Sequence, residues 1–180
     1  MLPLLRTGLP RARAATLTLP LPLRLTLSIA LAACGDKGDS GAIACEPGAA
    51  EAGHLVGELD GAAYDAPEAT WTWSGENLQI NTATHEGWHM TVVGKETDGG
   101  SVKAAADAGD YPIEVKLSDA GGGFALAYPA SGSTYTSDAG GGSLVFTEIG
   151  AEAVGCVSFE ASDGSETVTL SGGAFRAVAF

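Results

Sequence analysis

Positive charge is what this sequence has least of. Nine Lys and Arg stand against 22 Asp and Glu, for a formal charge of −13. Four of the nine (Arg6, Arg11, Arg13 and Arg24) fall within residues 1–33, where there is no acidic residue. The remaining 147 residues, Cys34 to Phe180, therefore hold five basic and 22 acidic side chains, a net −17. Nucleic-acid affinity comes from Lys and Arg displacing condensed counterions, so a chain this acidic is excluded as a nucleic-acid binder. Long apolar runs are also missing. The longest, Leu25-Thr26-Leu27-Ser28-Ile29-Ala30-Leu31-Ala32-Ala33, is about half of the ~20 residues a membrane-spanning helix needs. No serine sits in a Gly-x-Ser-x-Gly elbow, which leaves a serine hydrolase without local support. The triple glycines at 121–123 and 140–142 lack the following lysine and helix of a phosphate cradle, and they read as turns.

What is present begins with a basic stretch followed by the short apolar run, the layout of an export signal, with Pro20 and Pro22 against a long uninterrupted helix. The run ends in Leu31-Ala32-Ala33-Cys34, which resembles the lipobox of bacterial lipoprotein precursors. The resemblance implies cleavage between Ala33 and Cys34, with diacylglycerol carried on the Cys34 thiol and membrane contact supplied by lipid alone. Gly35 stands where an aspartate would resemble an inner-membrane retention signal, so the outer membrane is the expected destination. Residues 34–44 are small, polar and glycine-rich and read as a flexible tether. Asp36 and Asp39 lack the ligand spacing of an EF-hand. With Cys34 taken by lipid, Cys45 and Cys156 remain as an even pair in an oxidising compartment, and a disulfide between them is expected.

Residues 45–180 read as one all-β domain. The cleanest run is Tyr111-Pro112-Ile113-Glu114-Val115-Lys116-Leu117, with apolar and charged residues alternating. Further strands are expected at 55–59, 70–73, 78–82, 88–93, 124–128, 143–147, 154–159, 167–170 and 174–179. Turn signals such as Asp60-Gly61, Ser74-Gly75, Asp163-Gly164 and Gly172-Gly173 separate them. Residues 102–108 are the one helix-like stretch. Many short strands at this spacing predict an antiparallel β-sandwich of roughly eight to ten strands, Greek-key or jelly-roll-like.

The C-terminal third, with Gly155-Cys156-Val157-Ser158-Phe159-Glu160-Ala161 before a hairpin and then Gly172-Gly173-Ala174-Phe175, resembles the ending of a group of small bacterial β-sandwich lipoproteins of unknown function. Gly57-Glu58-Leu59-Asp60-Gly61 with Tyr64 is similar to their opening strand and turn. The resemblance implies a fold and no activity.

Two constellations carry chemistry. His85-Glu86-Gly87-Trp88-His89 matches the His-Glu-x-x-His pattern of zinc peptidases. That chemistry needs a helix, which sets both histidines on one face and the glutamate beside a zinc-bound water. The flanking threonines and valines, and Gly87 itself, disfavour a helix and predict a hairpin turn instead. Trp71, Trp73 and Trp88, with Tyr64, would form a sugar-stacking platform if exposed, and core packing explains them equally well. The resulting expectation is a non-enzymatic envelope lipoprotein without cofactor or metal. Its domain binds an envelope protein or glycan, or serves display. The alternatives are a zinc-dependent hydrolase using His85, Glu86 and His89, and a carbohydrate-binding module using the three tryptophans.

Overall fold

Alternation of apolar and polar residues becomes alternation of faces in a computed structural model, which describes residues 45–118, 121–130, 132–137 and 141–180. Cys34, its lipobox and the tether at 34–44 lie outside the described residues. The strands are β1 (His54–Leu59), β2 (Ala62–Ala66), β3 (Thr70–Ser74), β4 (Asn77–Asn81), β5 (Trp88–Gly94) and the two-residue β6 (Glu96–Thr97) and β7 (Gly100–Ser101). After helix α1 (Val102–Ala108) come β8 (Ile113–Leu117), β9 (Gly123–Pro129), β10 (Tyr135–Thr136), β11 (Gly142–Ile149), β12 (Glu152–Ser162) and β13 (Thr167–Ala179). In β8, Ile113, Val115 and Leu117 are buried while Glu114 and Lys116 are exposed, the period-two pattern of a strand with one wet face.

The expected sandwich is corrected by the pairing. Strands β12, β11, β8, β9, β5, β4, β3 and β13 follow one another, and β13 pairs back onto β12, which closes an eight-stranded barrel. The physical reason lies at Gly172-Gly173. Those two glycines do not separate two strands but sit inside the single 13-residue strand β13, with Gly172 in the left-handed region at φ 58°. The register slips opposite them on both neighbours, between Val157 and Phe159 and between Val56 and Glu58. A bulge of this kind bends a strand and increases its twist. Bent there, β13 lies along β12 on one edge, while its other edge takes β1 and then, at Val178 and Ala179, the parallel strand β3. One long strand thus joins what a sandwich would keep as two sheets.

Buried apolar side chains form the core of the domain. Phe146, Phe175, Leu55, Leu78, Ile80, Met90, Ile113, Leu117, Leu144 and Leu170 are all fully buried, each burial being worth about 1.5–3 kcal/mol. The Phe146 and Phe175 rings meet edge to face at 5.7 Å. Helix α1 closes one end. Its N-cap Ser101 accepts a hydrogen bond from the Ala104 amide, Gly109 ends it in the left-handed conformation, and Val102 is fully buried. A Cβ on Gly94 would meet Phe146, Leu144 and Val102 within 3.2–3.4 Å, so this helix face presses directly on the barrel floor.

Cys156 lies between inward-facing Gly155 and Val157 and therefore points outward, opposite Ala174 of β13. It is disulfide-bonded to Cys45, with Cα atoms 6.1 Å apart and a sequence separation of 111. The start of the domain is thereby clipped to the outside of β12.

Candidate functional site

At the barrel end away from α1, the chain turns between β4 and β5 through the His-Glu-x-x-His motif. His85 and Trp88 exchange both backbone hydrogen bonds, each 2.8 Å. The two residues between them, Glu86 at φ 49° and Gly87 at φ 84°, are both left-handed. Two positive-φ residues inside a two-residue loop define a type I′ turn, whose twist suits the flanking strands. The expected hairpin turn is what the chain forms, and the helix that zinc-peptidase chemistry requires is absent at these residues.

The turn also sets the direction of each histidine. Directly paired residues share a face of the hairpin, so His85 lies on the Trp88 face, and consecutive residues alternate, so His89 lies on the other. Contacts agree with this. The His85 ring packs against the inward Tyr64 at 5.9 Å, whereas His89 packs against Tyr128 at 5.6 Å and approaches the Thr91 hydroxyl at 3.4 Å. Glu86 Oε1 is 3.9 Å from His85 Nε2. The two imidazoles are thus separated by the hairpin itself, and among the described residues no group of three or more His, Cys, Asp or Glu is arranged to hold a metal ion.

The tryptophans are divided as well. Trp71 and Trp73 meet edge to face at 6.0 Å, in keeping with a shared face. Trp71 is nevertheless core, 8% exposed, with its indole N–H buried and unpaired. Trp73 pairs through Leu78 with Gly94 at the helix-covered end, where Lys103 Nζ sits 5.2 Å from its ring. Trp88 begins β5 at the opposite end, some six residues or ~20 Å away, and packs against Tyr135 at 5.6 Å. The structure brings together Trp71 with Trp73, and Trp88 with Tyr135, but not the three as one platform.

Sequence reading passed over Tyr135 and Glu166, because β10 is only two residues long and carries no periodicity to detect. The Tyr135 hydroxyl donates to Glu166 at 3.1 Å. Its pKa is raised, first by loss of solvent and then by that carboxylate and other nearby acids. Burial likewise pushes the Tyr64 phenol up, offset in part by the neighbouring Thr82 hydroxyl and reinforced by the Glu86 charge. Both phenols therefore stay protonated at neutral pH: Tyr135 donates to Glu166, while Tyr64 is a packing group whose hydroxyl is buried without a hydrogen-bond partner.

Strand β2 also went unread, although the Asp60-Gly61 turn before it was a legible signal. It pairs with β1 from Leu59↔Ala62 to Leu55↔Ala66, burying Tyr64 and Ala66 and exposing Ala62, Ala63 and Asp65. Asp65 accepts from, or shares a proton with, His54 Nδ1 at 2.7 Å. A surface depression of about 480 Å³ lies elsewhere. It is a shallow hollow by α1 that includes Asp98, Asp110 and Glu114. Comparison of the chain with protein-family models, with curated proteins and with solved structures finds no match.

Proposed function

We propose that the chain is a lipid-anchored protein of the cell envelope, held through Cys34 at the outer membrane, and that its barrel is a binding or display module rather than an enzyme. The observation that carries the reading is the distribution of polarity across the barrel wall. Inward positions are apolar and buried, as at Phe146, Phe175 and Met90, while outward positions carry Glu114, Lys116, Glu160, Thr167, Thr169 and Arg176 beside the half-buried Phe124, Leu126 and Tyr128 of β9. A barrel that crosses lipid has the reverse arrangement, with an apolar band outside, and a barrel that carries a small molecule keeps room within. This arrangement supports attachment through the lipid on Cys34 and recognition at the outer surface. The net −17 of residues 34–180 favours a basic partner.

The test is expression of the full chain in a lipoprotein-processing bacterium with labelled palmitate. The expected result is label on the native chain and its recovery with outer membranes, with a Cys34→Ala variant unlabelled and released as a soluble or unprocessed species. Equal membrane retention of the variant, or no label on the native chain, would overturn the anchor.

A further inference from the structure

We infer that the free edge of β2 is a docking site for an extended, basic polypeptide segment, which adds to the sheet as a further strand. The inference deepens the binding-module reading above and rests on it. Every barrel strand is paired on both sides, and β10 is held between β9 and β12, but β2 pairs with β1 alone. The backbone groups left over follow from the turn. Asp60 and Gly61, at φ 50° and 77°, form a two-residue loop, so Leu59 and Ala62 are a hydrogen-bonded pair, and alternation along an antiparallel ladder makes Gly57/Tyr64 and Leu55/Ala66 the next such pairs. The Asp60 amide donating outward to Thr169 O at 2.8 Å is consistent with that phase. The N–H and C=O of Ala63 and Asp65 therefore point away from β1, and among the described residues they have no backbone partner. Both residues are exposed, above buried Tyr64 and Ala66. Only side chains join β2 to the β4–β5 turn, through Tyr64 against His85.

Charge selects the occupant. From residue 46 to residue 94 the chain has no Lys or Arg and eight acidic side chains, Glu46, Glu51, Glu58, Asp60, Asp65, Glu68, Glu76 and Glu86. Glu58, Asp60, Asp65 and Glu68 lie on β1, β2 and their adjoining loops and are exposed. The nearest guanidinium across β1, Arg176 of β13, is bonded to Glu152, and the one basic ring within β1, His54, is bonded to Asp65. A second copy of this chain would bring the same carboxylates against themselves, whereas a lysine-bearing strand neutralises them. Added strands gain affinity from main-chain hydrogen bonds and specificity from alternate side chains. Here the two free residues offer four backbone bonds, and outward lysines of the incoming strand meet Glu58 and the Asp65 carboxylate, which His54 also contacts.

The test uses the full lipidated chain in non-ionic detergent with an acetylated, amidated peptide of four Lys-Val repeats. The expected result is saturable binding that weakens with salt, with amide exchange at Ala63 and Asp65 slowed at least about tenfold. The same peptide N-methylated at alternate residues, unchanged in charge but unable to donate along one edge, should bind about tenfold more weakly. Three outcomes overturn the inference: equal binding of the methylated peptide, equal binding of a Glu-Val peptide, or amides already slow in a free protein that sediments as a dimer. None of these bears on the retention of the native chain by Cys34, so the docking site can fail while the anchored-module reading stands.

Discussion

Glu86 shows how a single backbone angle decides between two chemistries. In a helix it would be the base of a zinc site. At φ 49° it is the first residue of a type I′ turn, in a conformation that costs an L-residue with a long side chain roughly 1 kcal/mol and that Asn adopts far more readily. Glu86→Asn is therefore expected to raise stability by about 0.5–1 kcal/mol, seen as a higher urea midpoint with unchanged slope. A lower midpoint would mean that Glu86 holds a contact worth more than the strain it carries. The turn was legible beforehand because Gly87 and the flanking Thr82, Thr84, Thr91 and Val92 all disfavour a helix. The separation of His85 from His89 was not, since it depends on which backbone pairs exchange hydrogen bonds.

Elements were legible where their period was clean and their ends were marked. β8, β5 and α1 fall where alternation, threonine-valine content and an alanine-rich stretch predict them. Glycine pairs were the weak signal, because glycine marks both a turn and a close approach of backbones. Gly155 is of the second kind, in mid-strand, where a Cβ would lie 1.9 Å from Val145 O and 2.7 Å from the Phe175 ring. Gly122 is similar, its would-be Cβ 1.7 Å from Glu96 O, while its own carbonyl accepts from the Lys95 and Glu96 amides. The Gly155 site is backbone on one side and a fully buried ring on the other, so neither neighbour yields cheaply. Gly155→Ala is expected to destabilise the domain by about 3 kcal/mol, measured by thermal or denaturant unfolding. A loss under about 1 kcal/mol would show that β11 and β12 have room to separate at Gly155.

For the whole molecule, the Cys45–Cys156 bond is the longest-range constraint that sequence alone supplied. It closes a loop of 111 positions, for which chain entropy allows about 4–5 kcal/mol and native disulfides typically provide 2–5. Cys45→Ser is expected to lower the unfolding free energy by that amount, and reductant should do the same to the native chain but nothing further to the variant. Reductant without effect on the native chain would mean that the bond contributes no stability. The all-β class, the short helix, the motif turn and the cysteine pairing were set by local patterns: period-two burial, helix and turn propensities, and an even count of thiols. Barrel closure, the division of Trp71 and Trp73 from Trp88 and the free edge of β2 were decided only by tertiary structure. Each depends on which strand lies beside which. That is settled by one bulge at Gly172 and by the registers on both sides of β13, and period-two alternation looks the same for a strand in a sandwich, in a barrel or at an edge.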